Sequence, residues 1–148
     1  YFLTVVDEYS SYCEVIPVQY KSSIAQELIA VIERWERQCD AKVKIVRTDR
    51  GTEFLNKNFH GYCSEKGIHT EMSAAYTPQQ NGIAERMNRT IKEKARTLLL
   101  GVNADSCLWN EAVKAAAHLH NVMPISGKSK TPVEAFSGIV PNLAGLKT

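Results

Sequence analysis

Features that would place this chain in a special class are mostly missing. Its four cysteines, Cys13, Cys39, Cys63 and Cys107, are scattered and form no C-x-x-C pair. Reduced thiols in an intracellular setting fit that pattern better than a disulfide framework. No apolar run is long enough to span a membrane, so no membrane partner is expected. Charge of one sign is missing too. Eighteen Lys and Arg against sixteen Asp and Glu leave a net charge of +2, and any case for a polyanionic partner must come from local clustering. Internal repeats and low-complexity tracts are absent. What remains, 148 residues with 44% apolar and 23% charged, suits one globular domain able to bury a core without staples.

The chain opens on the strand-like run Tyr1–Val6 with no polar lead-in, as if cut from a longer polypeptide. A second β-rich run, Tyr12–Val18, follows a turn over Asp7-Glu8-Tyr9-Ser10-Ser11, which predicts a hairpin. From Ser22 or Ser23 as N-cap, Ile24, Leu28, Val31, Ile32 and Trp35 recur at helical spacing up to Cys39-Asp40. Val43–Thr48 reads as a short strand stopped by Asp49-Arg50-Gly51, which puts a carboxylate at a strand's C-terminal end. Asn56–Lys66 reads as a helix closed by Gly67, and Ile68–Met72 as a strand. Pro78, Asn81 and Gly82 predict a loop over 73–82, followed by long helices over 83–102 and from about Ser106 to Val122. From Pro124 the chain is expected to be extended, so the division is a core over 1–123 and a tail over 124–148. The layout is α/β.

Two segments carry chemistry: Val46–Phe54 and Tyr76–Arg89. Asp49 and Glu85 each sit where one element gives way to the next. Phosphoryl transfer on DNA uses two divalent ions, and hard cations such as Mg²⁺ take carboxylate oxygens. Thirty-five residues lie between the two acids, enough for a helix, a strand and a loop that brings Glu85 back over the sheet. At about 100° per residue, Ala84, Met87, Ile91, Ala95, Leu98 and Val102 form one stripe of the helix after the loop. Glu85, Arg89, Lys92 and Arg96 form another. Between Gly82 and Val102 five cations, Arg86 among them, face two acids, so the basic excess is local and suits a phosphate backbone.

These segments resemble the integrase core of retroviruses and retrotransposons, whose signature is two aspartates and a glutamate, the last two separated by thirty-five residues. Thr77-Pro78-Gln79-Gln80-Asn81-Gly82-Ile83-Ala84-Glu85-Arg86 is similar to copia-type elements. So are Asp7-Glu8-Tyr9-Ser10 and Thr131-Pro132-Val133-Glu134-Ala135-Phe136-Ser137-Gly138. The resemblance implies a ribonuclease H-like mixed sheet flanked by helices. It also implies Mg²⁺ or Mn²⁺ as a pair of ions on Asp49 and Glu85, and DNA contacts from Gln80, Asn81, Arg86, Arg89, Lys92 and Arg96. The implied activity is 3′-end processing of retroelement DNA and its joining to target DNA by transesterification. A homo-oligomer acting in the nucleus, and in a cytoplasmic particle before that, is implied too. In the family the first aspartate lies on a central strand ahead of the one matching Tyr1–Val6, so that strand is expected to be missing here. A fragment without it is expected to be inactive and to have a split sheet. Two positions depart from the family pattern, Arg50 where Asn is common and Ser11 where Arg is common.

Blander assignments compete. Asp49 alone is a turn former, Glu85 alone a first-turn glutamate favoured by the helix dipole, and the basic row alone a solvated face. His60, Cys63 and His69 lack zinc-site spacing, and His118 and His120, two apart, point to different faces, so no zinc is expected. Trp35, Trp109 and the leucines are most simply core. Two further functions stay open: a catalytically inactive remnant that only binds DNA or other subunits, and another ribonuclease H-like nuclease or transposase.

Overall fold

The computed structural model describes residues 1–48, 57–72 and 78–144, with the backbone alone for 78–81. The described residues form four strands, β1 (Phe2–Val6), β2 (Cys13–Pro17), β3 (Ile45–Thr48) and β4 (His69–Met72). They form five α-helices: α1 (Ile24–Cys39), α2 (Lys57–Lys66), α3 (Pro78–Gly101), α4 (Trp109–Val122) and α5 (Pro132–Ser137). They make two two-stranded sheets, β1 with β2 and β3 with β4.

The chain folds as two compact units. The first comprises Tyr1–Leu3 and Ile16–Ile83. Its core is the apolar face of α1, where Ile24, Ala25, Leu28, Val31, Ile32 and Trp35 are buried. That face packs on α2, which buries Phe59 and Cys63 four residues apart on one side. β3 and β4 run parallel with Ile45 opposite His69 and Arg47 opposite Glu71, joined through α2 as a parallel pair requires. The Arg47–Glu71 pair closes to 2.9 Å on the exposed side of that ladder. Ser23 occupies the N-cap of α1, but its hydroxyl donates to the Tyr20 carbonyl at 2.8 Å instead of capping the helix. Asp40 ends α1 in the left-handed region, φ 48°.

The second unit comprises Thr4–Val15 and Ala84–Thr148. The hairpin tip is an Asx-type turn: Asp7 Oδ2 accepts from the Ser10 N–H at 2.8 Å and from its hydroxyl at 2.6 Å. Asp7 is thereby a structural carboxylate. Ser11 follows with φ 65°, and two side chains brace it. His120 Nε2 donates to the Ser11 carbonyl at 3.0 Å, and Lys128 Nζ donates to the Ser11 hydroxyl at 2.9 Å.

Three expectations are corrected. Residues 78–82 are helical, not loop, because Pro78 takes the first helical position, where its fixed φ fits and its missing N–H costs nothing. The segment after Pro124 is not extended throughout. Thr131 accepts from the Glu134 N–H, Pro132 leads α5, and Gly138 closes it at φ 74°. α5 packs on α4, and Phe136 stacks on Tyr12 with ring centres 4.3 Å apart. Val102, Leu100 and Leu108 were expected in the core but are exposed. α3 ends at Gly101, before Val102; Leu100 lies about 180° round the helix from the buried Ile91; and Leu108 lies in the 3-10 turn that precedes α4. Trp35 is buried as expected, and Trp109 only partly so.

Candidate nucleic-acid interface

α3 sets the geometry of the site. Met87, Ile91 and Ala95 are buried along one side of it, as the periodicity requires. Glu85, Arg89, Lys92 and Arg96 are exposed on another. An open hollow along the helix is lined by Glu85, Asn88, Arg89, Lys92, Glu93 and Arg96. From Glu85 to Arg96 is eleven residues, about 16 Å of helix axis at 1.5 Å per residue. A DNA strand has one phosphate per roughly 3.4 Å of helix axis, so the row is as long as a run of several phosphates. Arg86 is exposed but lies a quarter-turn away and does not line the hollow.

Because α3 begins at Pro78, Glu85 is two turns inside the helix. The dipole effect is confined to the first turn, so a capping role no longer explains this glutamate. Its position is instead that of a side chain presented by a rigid element to solvent. β3 ends at Thr48, the residue before Asp49. Asp49 and Arg50 lie outside the described residues, and so does the expected approach of Asp49 to Glu85. The backbone of Gln80 and Asn81 is in α3, and their side chains lie outside the described ones.

Two residues of the hollow, Asn88 and Glu93, were not singled out by the sequence. Asn88, three residues after Glu85, accepts a 2.7 Å hydrogen bond on Oδ1 from the Thr4 hydroxyl of β1. The spacing Glu-x-x-Asn on one helix face was the available signal. The opposite flank of α3 meets a different environment. Burial pushes the Cys13 thiol up to about 12, against a smaller lowering by Lys94. His120 is held below its ordinary value first by burial, which outweighs the opposing effect of its hydrogen bond to the Ser11 carbonyl, and Lys94 and Lys128 lower it further.

Comparison with known proteins bears on this arrangement. A family model described as the integrase core domain matches residues 1–78, more than half the chain. The retrovirus-related Pol polyprotein from transposon TNT 1-94 of Nicotiana tabacum is 39% identical over 124 residues, 84% of this chain and 9% of that protein. The chain therefore spans less than a tenth of that relative. Two structures of the HTLV-2 integrase catalytic core domain in complex with magnesium share the fold. The trimeric form gives a TM-score of 0.70 at 20% identity, and the dimeric form 0.67 at 21%. Each comparison covers 91% of this chain and 83% of the other. With an α/β fold of the ribonuclease H-like integrase type and a family model over its first half, the chain belongs to the integrase core domain family.

Proposed function

We propose that this chain is the catalytic-core segment of a retroelement integrase that processes the 3′ ends of element DNA and joins them to target DNA. The observation that supports it most is Glu85, exposed on α3 in line with Arg89, Lys92 and Arg96, within a chain of the integrase core family. A carboxylate heading a row of cations suits DNA held by its phosphates with one phosphodiester at the acidic end.

Glu85 offers hard oxygen donors open to solvent, which fits a divalent cation. Among the described residues no three His, Cys, Asp or Glu side chains come together. The donor set is completed in this proposal by Asp49 and by the carboxylate that the resemblance places on the central strand. Mg²⁺ or Mn²⁺ held there supplies Lewis acidity to the phosphodiester and charge neutralisation to the departing oxygen. Arg89, Lys92 and Arg96 bind phosphates along the strand, and Gln80, Asn81 and Arg86 contact DNA near the start of α3. The partners are element ends, target DNA and further copies of the integrase, with action on chromosomal DNA in the nucleus after a cytoplasmic particle stage.

The test is strand transfer by the complete polypeptide. Asp49→Asn and Glu85→Gln should each reduce Mg²⁺-dependent joining to background while DNA binding persists. Joining at the parent rate in both variants overturns the proposal. A parent that binds DNA and never joins it favours the inactive remnant.

A further inference from the structure

We propose that Tyr20, with Lys21 beside it, is a stacking platform for an unpaired nucleobase of a DNA strand whose neighbouring phosphate Lys21 takes. The inference rests on the function proposed above, which brings DNA strands to this chain: trimming a 3′ end leaves bases of the complementary strand unpaired. Both residues belong to the stretch between β2 and α1, within the first compact unit. Tyr20 is 63% exposed. Its backbone is extended, at φ −124° and ψ 140°, and its carbonyl accepts from the Ser23 N–H at 3.2 Å and from the Ser23 hydroxyl at 2.8 Å. The ring is therefore carried on a backbone that is already fixed, and a tyrosine has little side-chain freedom to lose on contact. Lys21 is exposed as well, and its ammonium lies 5.3 Å from the centre of the Tyr1 ring. The Tyr1 carbonyl accepts from the Val18 N–H at 3.0 Å, so that ring stands where the β1–β2 ladder ends.

The chemistry of the patch selects its occupant. From Val15 to Gln26, Lys21 is the only charged residue. One cation gives a weak ionic grip, and duplex DNA, whose bases are stacked inside, meets only that. An unpaired strand offers the π-faces of its bases as well, and an exposed ring beside a cation takes both parts of such a strand. The hollow on α3 is the opposite case, lined by three cations and no aromatic ring, and suits phosphates. The competing occupant is another protein surface, which an exposed tyrosine also fits.

The experiment uses the complete polypeptide and three fluorescently labelled probes: an oligothymidylate, an abasic oligomer of equal length and a duplex. Anisotropy at high salt, where ionic contacts are weakened, gives the affinities, with thermal unfolding and sedimentation in parallel. Tyr20→Ala should weaken oligothymidylate binding by about five- to a hundred-fold, the worth of one base–aromatic stack, and leave the abasic strand and the duplex bound as by the parent. Tyr20→Phe keeps the π-face and should bind as the parent does. Lys21→Ala, titrated across a salt series, should flatten the slope for oligothymidylate by about 0.7. Irradiation of an iodouracil-bearing strand should cross-link it to the peptide that holds Tyr20. Parent-like affinity of Tyr20→Ala for oligothymidylate, the same loss on the abasic strand, or no cross-link at Tyr20 overturns the inference. A changed sedimentation coefficient with DNA binding intact makes Tyr20 a protein contact and overturns it too. None of these readouts needs joining. If the parent joins ends and Glu85→Gln does not, a negative result removes this inference alone; if Glu85→Gln joins at the parent rate, the proposed function falls whatever Tyr20 does.

Discussion

The side-chain amide of Asn121 on α4 clasps the backbone of Cys13 in β2. The Cys13 N–H donates to Oδ1 at 2.9 Å, and Nδ2 donates to the Cys13 carbonyl at 2.7 Å, both within the buried interior. One side chain thus satisfies both backbone groups, as a neighbouring strand would. Asn121→Leu, close in volume and without polar atoms, leaves two buried backbone groups unpaired. It should cost about 2–5 kcal/mol. Equilibrium urea unfolding measures this through the midpoint at unchanged slope. A loss below about 0.5 kcal/mol would contradict the assignment.

Beside that clasp, His120 donates from Nε2 to the Ser11 carbonyl and is kept neutral by burial and by Lys94 and Lys128. The unfolded chain takes up this proton near the ordinary value of 6.5, and the folded chain only below it. The stability it contributes is complete above about pH 6.5 and is lost as pH falls through the depressed folded value. His120→Gln keeps a donor and removes the titration. Between about pH 7 and about pH 5 the parent should lose more stability than this variant. Equal losses would show that the imidazole is not the responsible group.

Local rules carried much of the fold. The α1 stripe from Ile24 to Trp35, the Gly67 stop, the Asp7 turn and the buried Met87, Ile91 and Ala95 all follow from periodicity or turn chemistry. The start of α3 and the existence of α5 were legible but outweighed. Thr77-Pro78-x-Gln80 and Thr131-Pro132-x-Glu134 both have the pattern of an N-cap, a proline and a capping-box partner, while Gly and Pro content argued for loops. At the site, the exposed row could be read from helical geometry alone. The Thr4–Asn88 bond could not, because its residues are 84 apart in sequence. Helical periodicity orients a side chain on its own element and says nothing of the strand it meets.

The stacking of Phe136 on Tyr12, at an interplanar angle of 7°, ties α5 to the start of β2. Both rings are only half-buried, so Phe136→Ala should cost about 1–2 kcal/mol, less than a core deletion. Ending the chain before Thr131 should lower the unfolding temperature further, since it also removes the contacts of α5 with α4. Calorimetry showing no change for either would make the segment after Pro124 a tail outside the core.

On the proposed function, each cation of the α3 row would neutralise phosphate without reading sequence. In the complete polypeptide, Lys92→Ala and Arg96→Ala should weaken binding to every duplex alike. Each should flatten the plot of log affinity against log salt by about one unit of slope. Parent slopes in both variants would reduce the row to a solvated helix face.

The central claim, that Asp49 and Glu85 hold divalent metal together, is tested most directly by a crystal structure of the complete polypeptide grown with Mn²⁺. The account predicts an anomalous scattering peak in contact with both carboxylates at the C-terminal end of β3. Carboxylates more than about 10 Å apart, with Glu85 facing away on an ordered α3, would contradict it, because two-metal geometry does not stretch that far.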